Sequence, residues 1–505
     1  MVYVITLIAF ALCLGFIFLY SLIQLSLVIS YIKNRRAKHL TNDQESENLP
    51  FVTVQLPVYN EMYVVERLLR TVSELDYPKG RMEIQLLDDS TDHTVHIARG
   101  IIEDLKKSGF DVSHIQRTDR TGYKAGALKY GTDIARGEFI AIFDADFLPN
   151  KDFLKRSIKK FADDKVGVVQ SRWTYTNENY SLLTKMQAFG LNAHFTVEQV
   201  GRNSQNHFIN FNGTAGVWRK KCISDAGGWE ADTLTEDLDL SYRAQLKGWK
   251  FIYLSDLESP SELPMEMNAL KAQQFRWNKG AASCVRKNLG KVWKSKGLSL
   301  YSKLHATFHL MNSTIFLAIL FMSLLTIPVI VIKPNFPEYK FIFQLSGILA
   351  ISWGILALFY LTSYLNSKSK DENPLNFVWK FPMFLSISMG LALHNALAVF
   401  EGYIGKKSPF VRTPKYNIEE NKGWAKNIYN VRKMSPLTAL EGGMFFYSVY
   451  AFLQAIAYND FGILPLTVFL MFGYGFVFIS SIFHWNKAQK ANTFKMTPTQ
   501  VINHE

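Results

Sequence analysis

The first 32 residues carry no charged side chain. At 1.5 Å per residue, a helix of that length exceeds the ~30 Å hydrocarbon core of a bilayer, so it reads as a membrane span. It lacks a basic n-region and is too long for a cleaved leader, which makes residues 1–32 a retained anchor. Lys33, Arg35, Arg36 and Lys38 follow directly. Basic flanks mark the cytoplasmic end of a span, so the chain beyond residue 33 is expected inside. Long apolar runs return only after about residue 305, and the charged, mixed stretch between them has the composition of a globular domain.

Five stretches are long enough to cross: 3–32, 305–332, 341–364, 436–457 and 461–484. Charge decides a sixth, 377–400. If it crossed, residues 401–435 would lie outside with eight basic side chains against three acidic ones. That loop should be cytoplasmic, so 377–400, with His394 and Asn395 in its middle, is expected to lie in the interface or to re-enter. Pro334 and Pro337 then mark an outer turn. Lys368 and Lys370, and the tail with Lys487, Lys490 and Lys495, lie inside. The resulting plan is an anchor at 1–32, a cytoplasmic domain at 45–300, a hairpin at 305–364, an interfacial helix and loop at 377–435, a second hairpin at 436–484 and a tail at 485–505.

The net charge of +13 admits nucleic acid, anionic lipid or phosphorylated ligands. There is no zinc-finger spacing and no basic helix laced with stacking aromatics, and much of the excess charge flanks apolar runs. No nucleic-acid partner is expected. Cys13, Cys222 and Cys284 are far apart, which fits a reducing compartment rather than a disulfide framework.

Within the domain, 51–56, 84–87 and 139–143 read as strands, the first stopping at Pro57. Val64–Leu75 and Thr94–Lys106 read as helices between them. Strand alternating with helix implies a largely parallel sheet covered on both faces, with ligands beyond the carboxyl ends of its strands. Those ends carry Tyr59-Asn60-Glu61, Asp88-Asp89 and Asp144-Ala145-Asp146. Any one pair alone reads as a turn or N-cap. Three on one sheet edge gather carboxylates whose repulsion a divalent cation, Mg²⁺ or Mn²⁺, relieves. No Gly-rich phosphate loop is present, so cations must neutralise phosphate, and Lys124 sits in a loop before a helix. Further on, Thr235-Glu236-Asp237 precedes a helix expected over Leu238–Leu246. The acidic run either caps that helix or supplies Asp237 as a general base for an attacking sugar hydroxyl. Gln273, Arg276 and Trp277 share one helical face, suited to phosphate pairing and sugar stacking, or to interfacial anchoring.

Taken together, Asp88-Asp89-Ser90, Asp144-Ala145-Asp146, Thr235-Glu236-Asp237 and Gln273-x-x-Arg276-Trp277 resemble the processive family 2 glycosyltransferases of the cellulose synthase superfamily. The match is nearest to the cellulose-synthase-like A and C branch, the mannan and glucan synthases. LPVYNE (56–61), RTGYKAGALK (120–129) and FNGTAGVWR (211–219) support the resemblance. It implies an α/β, GT-A type, Rossmann-like mixed sheet domain inserted between transmembrane α-helices. It also implies a hexosyltransferase taking UDP-glucose or GDP-mannose to a growing β-linked glycan and moving that glycan across a membrane, expected to be the plasma (inner) membrane. The alternative is a single transfer to ceramide or diacylglycerol. Asp88, Asp89, Tyr59, Glu61, Lys124 and Asp144 would hold the nucleotide-sugar, and Asp144 and Asp146 the metal. Asp237, with Glu236 beside it, would be the catalytic centre. Gln273, Arg276 and Trp277 would hold diphosphate and acceptor. Phe410, Thr413 and Lys415 fall on the family's FxVTxK gating loop. Here Arg412 replaces the usual Val and Pro414 precedes the Lys, which puts the mode of closing at issue. The partners implied are the donor, the glycan acceptor and the bilayer, with export partners unidentified.

Overall fold

The computed structural model describes residues 2–35, 49–336, 347–367, 373–417, 423–430 and 434–493. Arg36, Lys38, Pro337, Lys368, Lys370, Lys422, Arg432, Lys433 and Lys495 lie outside the described residues.

The domain is built on seven strands: β1 (Val52–Val58), β2 (Met82–Asp88), β3 (Asp111–Ile115), β4 (Phe139–Ile142), β5 (Val166–Tyr175), β6 (Gly216–Arg219) and β7 (Lys250–Ser261). They form one sheet in the order β3-β2-β1-β4-β6-β5-β7. β3, β2, β1 and β4 run parallel, β6 is antiparallel to both neighbours, and β7 is parallel to β5. The sheet is therefore mixed.

Period-two alternation sends Val52, Val54 and Leu56 to one face, where they pack with Leu68, Leu69 and Val72 of the helix Val65–Ser73. Ile140, Ile142, Trp218 and Phe251 pack on the other face. Both faces are thus buried, as parallel strands require.

β1 does not stop at Pro57. It runs on to Val58, with Pro57 opposite Leu87. The β1–β4 ladder ends at Gln55–Ile142, so the N–H that proline lacks falls where no second strand would have accepted it.

Helices Val2–Asn34, Asn312–Asn335 and Leu464–Ala491 are long and apolar enough to cross a bilayer. The other two stretches read as spans are also helical, Gly347–Ser367 and Leu437–Ala457, at 21 residues each. The stretch 377–400 falls in a helix pair, Pro374–Gly390 and Ala392–Ile404, bent by 51° at its break, which fits either a broken span or a re-entrant segment.

The stretch expected to span from 305 begins later. Residues Leu300–Leu310 form a separate helix that peels off onto the domain, because His305, His309 and Leu310 are buried against it. Close backbone packing ties the membrane helices together. A Cβ on Gly390 would stand 2.1 Å from the Gly473 carbonyl oxygen, so only glycine lets these two helices meet there.

Candidate active site

The carboxyl ends of β1, β2 and β4 open into one cleft. Tyr59, Glu61, Asp89, Lys124, Asp144, Asp146, Glu236, Asp237, Gln273, Arg276, Trp277, Phe410, Thr413 and Lys415 all line it. Asn60, Tyr123 and Ala215 beside it hold left-handed backbone, with φ of 55°, 50° and 54°. Such strain in non-glycine residues persists where surrounding structure over-determines it.

Asp88 is the exception among the expected residues. It is buried at the end of β2 and turned away from the cleft. It accepts hydrogen bonds from the Ser90 N–H (2.9 Å) and pairs with His114 Nε2 (2.8 Å). Its role is to hold the turn that presents Asp89. Asp88→Ala should lower stability by about 1–3 kcal/mol, the cost of leaving buried partners unmade, with no change in the KM of folded enzyme. A thermal melt beside steady-state kinetics checks this.

Asp89 is gripped by Arg117, whose Nε and Nη2 reach its two oxygens at 2.9 and 2.5 Å. Arg120 lies over the Tyr59 ring, 3.2 Å from its centroid. Arg120 lines the cleft and Arg117 holds Asp89 in it, yet neither stood out as a site residue in the sequence, where only their basic character within RTDRTGYK gave a signal. Lys124 lies in the first turn of the helix Tyr123–Ile134 rather than in a loop, and its ammonium donates to Asp144 Oδ1 (2.5 Å) and to the Gly213 carbonyl (2.9 Å). Gly213 has φ of 81°, and a Cβ there would stand 2.9 Å from Asp237 Oδ2, so the residue must be glycine on both counts.

Asp237 belongs to the helix Glu236–Leu246, which starts two residues earlier than expected. Its Oδ1 accepts from the Leu238 N–H at 2.9 Å. Burial, and next the charge of Glu236, push its carboxyl up to about 7. A carboxylate poised near neutrality is what a general base needs. Burial likewise raises Glu61 to about 7, against the pull of Arg412 and Lys415.

The loop after Ile404 closes over the cleft. Lys415 Nζ is 2.8 Å from Asp146 Oδ2, and Arg412 Nη1 is 2.8 Å from Glu61 Oε1. Phe410 stacks on Tyr123, and the Arg276 guanidinium lies 4.7 Å from the Phe410 centroid. Glu262 anchors the loop, accepting from the Tyr416 N–H (2.9 Å) and pairing with Arg67 (2.6 Å). Sequence reasoning missed Glu262, because its loop partners Tyr416 and Asn417 lie some 150 residues further on and Arg67 is far upstream.

A second, larger cavity of about 510 Å³ begins at the same wall and continues between Phe316, Trp353, Tyr360 and Phe384 of the apolar helices. Asp237, Gln273, Trp277, Asn212 and Trp173 line both spaces. Trp173 Nε1, Gln187 Oε1, Asn212 Nδ2 and both amide atoms of Asn395 along it are buried without a hydrogen-bond partner among the described residues. Buried polar groups of this kind call for a hydroxyl-rich ligand or water.

One acidic cluster outside the cleft, Glu230, Asp232 and Asp239, has its charge met internally. Lys287 reaches the three at 2.5, 2.7 and 3.0 Å, and Arg243 reaches Asp239 at 2.8 Å.

A mixed sheet with acidic residues at its parallel strand ends, followed by a helix-borne carboxylate across the cleft, defines a GT-A type fold. Residues 50–280 match the family described as glycosyltransferase like family 2, and this part of the chain is a family 2 glycosyltransferase domain. The chain is 35% identical over 373 residues to a probable glucomannan 4-beta-mannosyltransferase 4 of Oryza sativa subsp. japonica, spanning 72% of this chain and 65% of that protein. It is 41% identical over 283 residues to glucomannan 4-beta-mannosyltransferase 2 of Arabidopsis thaliana, spanning 55% and 53%. The matches thus cover between half and two thirds of these relatives. The mannosyltransferase PcManGT from Pyrobaculum calidifontis, solved in complex with GDP-Man and Mn²⁺, shares the fold. It has a TM-score of 0.52 and 19% identity over 79% of this chain and 100% of that one.

Proposed function

We propose that the protein is a membrane-integrated inverting glycosyltransferase that adds mannose from GDP-mannose to a growing β-1,4-linked polysaccharide and passes the product into the cavity between its own helices. The choice of mannose rests on the names of the plant relatives. The observation that carries the reading is the shared wall: Asp237 and Trp277 border both the nucleotide cleft and the cavity leading among the apolar helices. A sugar seated on Trp277 faces the donor on one side and an exit on the other.

The residues fit a divalent cation. Asp146 Oδ1 is buried with no partner among the described residues, and the ammonium groups of Lys415 and Lys124 stand at Asp146 and Asp144, where positive charge is wanted. Asp144 and Asp146 would hold Mg²⁺ or Mn²⁺, which when bound supplies charge against the leaving diphosphate. The chain's own groups do the rest. Asp237 takes the proton of the acceptor hydroxyl as its oxygen bonds to the anomeric carbon and the bond from that carbon to the diphosphate oxygen breaks. Arg276, Lys124 and the loop cations Arg412 and Lys415 face the departing nucleoside diphosphate. Gln273 and Trp277 orient the acceptor, the indole offering its face to the sugar's C–H surface. The domain faces the cytoplasm, where nucleotide-sugars are held, and the Lys33–Lys38 flank agrees with that.

The test is to incubate membranes with labelled GDP-mannose or UDP-glucose and Mn²⁺ or Mg²⁺. The expected result is a high-molecular-weight product cut by a β-1,4-mannanase, abolished by EDTA and restored by the ion. A product confined to short glycolipid, or transfer that survives EDTA, would overturn the corresponding part of the reading.

A further inference from the structure

Residues 286–304 contain six basic side chains and no Asp or Glu. Only Lys287 is committed to acidic partners, the cluster described above. Among the described residues, Arg286, Lys291, Lys294 and Lys296 are exposed and pair with no carboxylate. They run along the end of the long helix Met267–Lys294 that carries Gln273, Arg276 and Trp277, and into the turn after it.

The same segment exposes a continuous apolar edge. Trp293 is 43% exposed, Leu300 64% and Tyr301 48%. Leu300, Leu304 and Phe308 fall at i, i+4 and i+8 on the helix Leu300–Leu310, opposite the buried His305, Ala306 and His309. Trp293 is fixed to this helix, donating from Nε1 to Thr307 Oγ1 at 3.0 Å, and its carbonyl accepts from Lys303 at 3.0 Å.

The depth of this edge can be placed. His305 Nε2 is 3.0 Å from Ser26 Oγ of the first helix. Ser26 lies about 36 Å along that helix from Val2, just beyond one hydrocarbon thickness. Phe308 packs on Phe16 and Tyr20, deeper along the same helix. A first helix that enters the hydrocarbon near Val2 would place the helix Leu300–Leu310 at the boundary between hydrocarbon and water, beside the uncompensated lysines. A basic, aromatic-edged helix at that depth has the chemistry of an anionic leaflet surface.

We propose that Arg286, Lys291, Lys294 and Lys296, with Trp293 and the outer face of Leu300–Leu310, form a binding surface for anionic phospholipid headgroups. The surface would make the placement of the diphosphate-binding helix sensitive to the charge of the surrounding leaflet. It rests on the membrane location of the chain and not on the identity of the transferred sugar.

The test uses the full chain reconstituted in phosphatidylcholine containing phosphatidylserine, with one lipid or the other carrying brominated acyl chains. The contribution of Trp293 to fluorescence is the difference between the wild type and W293F. Brominated phosphatidylserine is expected to quench Trp293 about fivefold more effectively than brominated phosphatidylcholine, the weight of one lysine at an anionic surface. The preference should fall as salt shortens the Debye length, and should vanish in K291Q/K294Q/K296Q while quenching by phosphatidylcholine persists. Added inorganic phosphate should leave it intact; displacement by phosphate would mean an anion site without lipid and overturn the proposal. Equal quenching by the two lipids, no quenching by either, or a preference indifferent to both salt and the triple substitution would each overturn it as well. The salt series on the wild type decides the matter even if the triple variant does not fold. Sugar transfer is not measured, so a failed donor assay leaves this result standing.

Discussion

Asp237→Asn is expected to lower kcat by about 10²- to 10⁴-fold, the usual weight of a positioned general base. The amide keeps the side chain's size and its Oδ1 acceptor for the Leu238 N–H, so the first turn of its helix stays in place. It also removes a buried negative charge beside Glu236, so the fold should melt no lower than the wild type. Donor KM should change little if Asp237 acts on the acceptor hydroxyl, as proposed. The pH profile supplies an independent check. The base acts when deprotonated, and burial together with Glu236 puts its titration at about 7. In the wild type kcat/KM should therefore climb as pH rises through about 7 and level off above it, and Asp237→Asn should flatten that limb. A correctly folded variant retaining rates within about tenfold of wild type would take the base role away from Asp237.

The parts of this site that could be read from sequence were those where a strand end and a chemical requirement coincide. Asp144 and Asp146 follow a short apolar strand, and the turn directly after it brings both to the cleft. Neighbouring Asp88 and Asp89 look equivalent in the chain. The two-residue period of a strand separates them, sending Asp89 into the cleft and Asp88 to His114. Which of the two faces inward depends on the register with β1, and that is a tertiary fact. β3, β5, β6 and β7 are not among the strands read from sequence, and β6, antiparallel to both its neighbours, is the one that makes the sheet mixed. Pro57 looked like a strand end because its missing N–H matters only where a partner strand is present. The pairings of Glu61 with Arg412 and of Asp146 with Lys415 join residues more than 260 positions apart, beyond the reach of any local pattern. The apolar runs were the easier signal. Their boundaries slipped where buried histidines drew the chain back onto the domain, as at His305 and His309.

Glu198→Gln is expected to destabilise the protein by about 3–5 kcal/mol, because it strands a buried guanidinium. Arg202 is only 2% exposed and sits where the domain meets the first helix. Its Nε and Nη2 reach Glu198 Oε1 at 3.1 and 2.8 Å, and Nη1 donates to the His305 carbonyl at 3.2 Å. His194 pairs with the other carboxylate oxygen at 3.1 Å across a turn of π-helix, His194–Glu198. Burial alone would raise the Glu198 carboxyl. The charge of Arg202, followed by the bond to His194, outweighs it and holds the group well below the usual carboxylate range. For a depressed carboxylate the sign is fixed. Its contribution is complete above the unfolded-state pKa and drains away as pH falls toward the folded value, so acid should weaken wild type more than Glu198→Gln. Glutamine still accepts a hydrogen bond but leaves the arginine's charge uncompensated. Removing that charge as well, in Glu198→Gln/Arg202→Met, should recover much of the loss, since no buried charge is then left without its counter-charge. Thermal unfolding of wild type, Glu198→Gln, Arg202→Met and the double variant in one detergent, followed across pH, measures the coupling. Additive losses in the double variant would show that Glu198 supports the junction by some means other than its charge on Arg202.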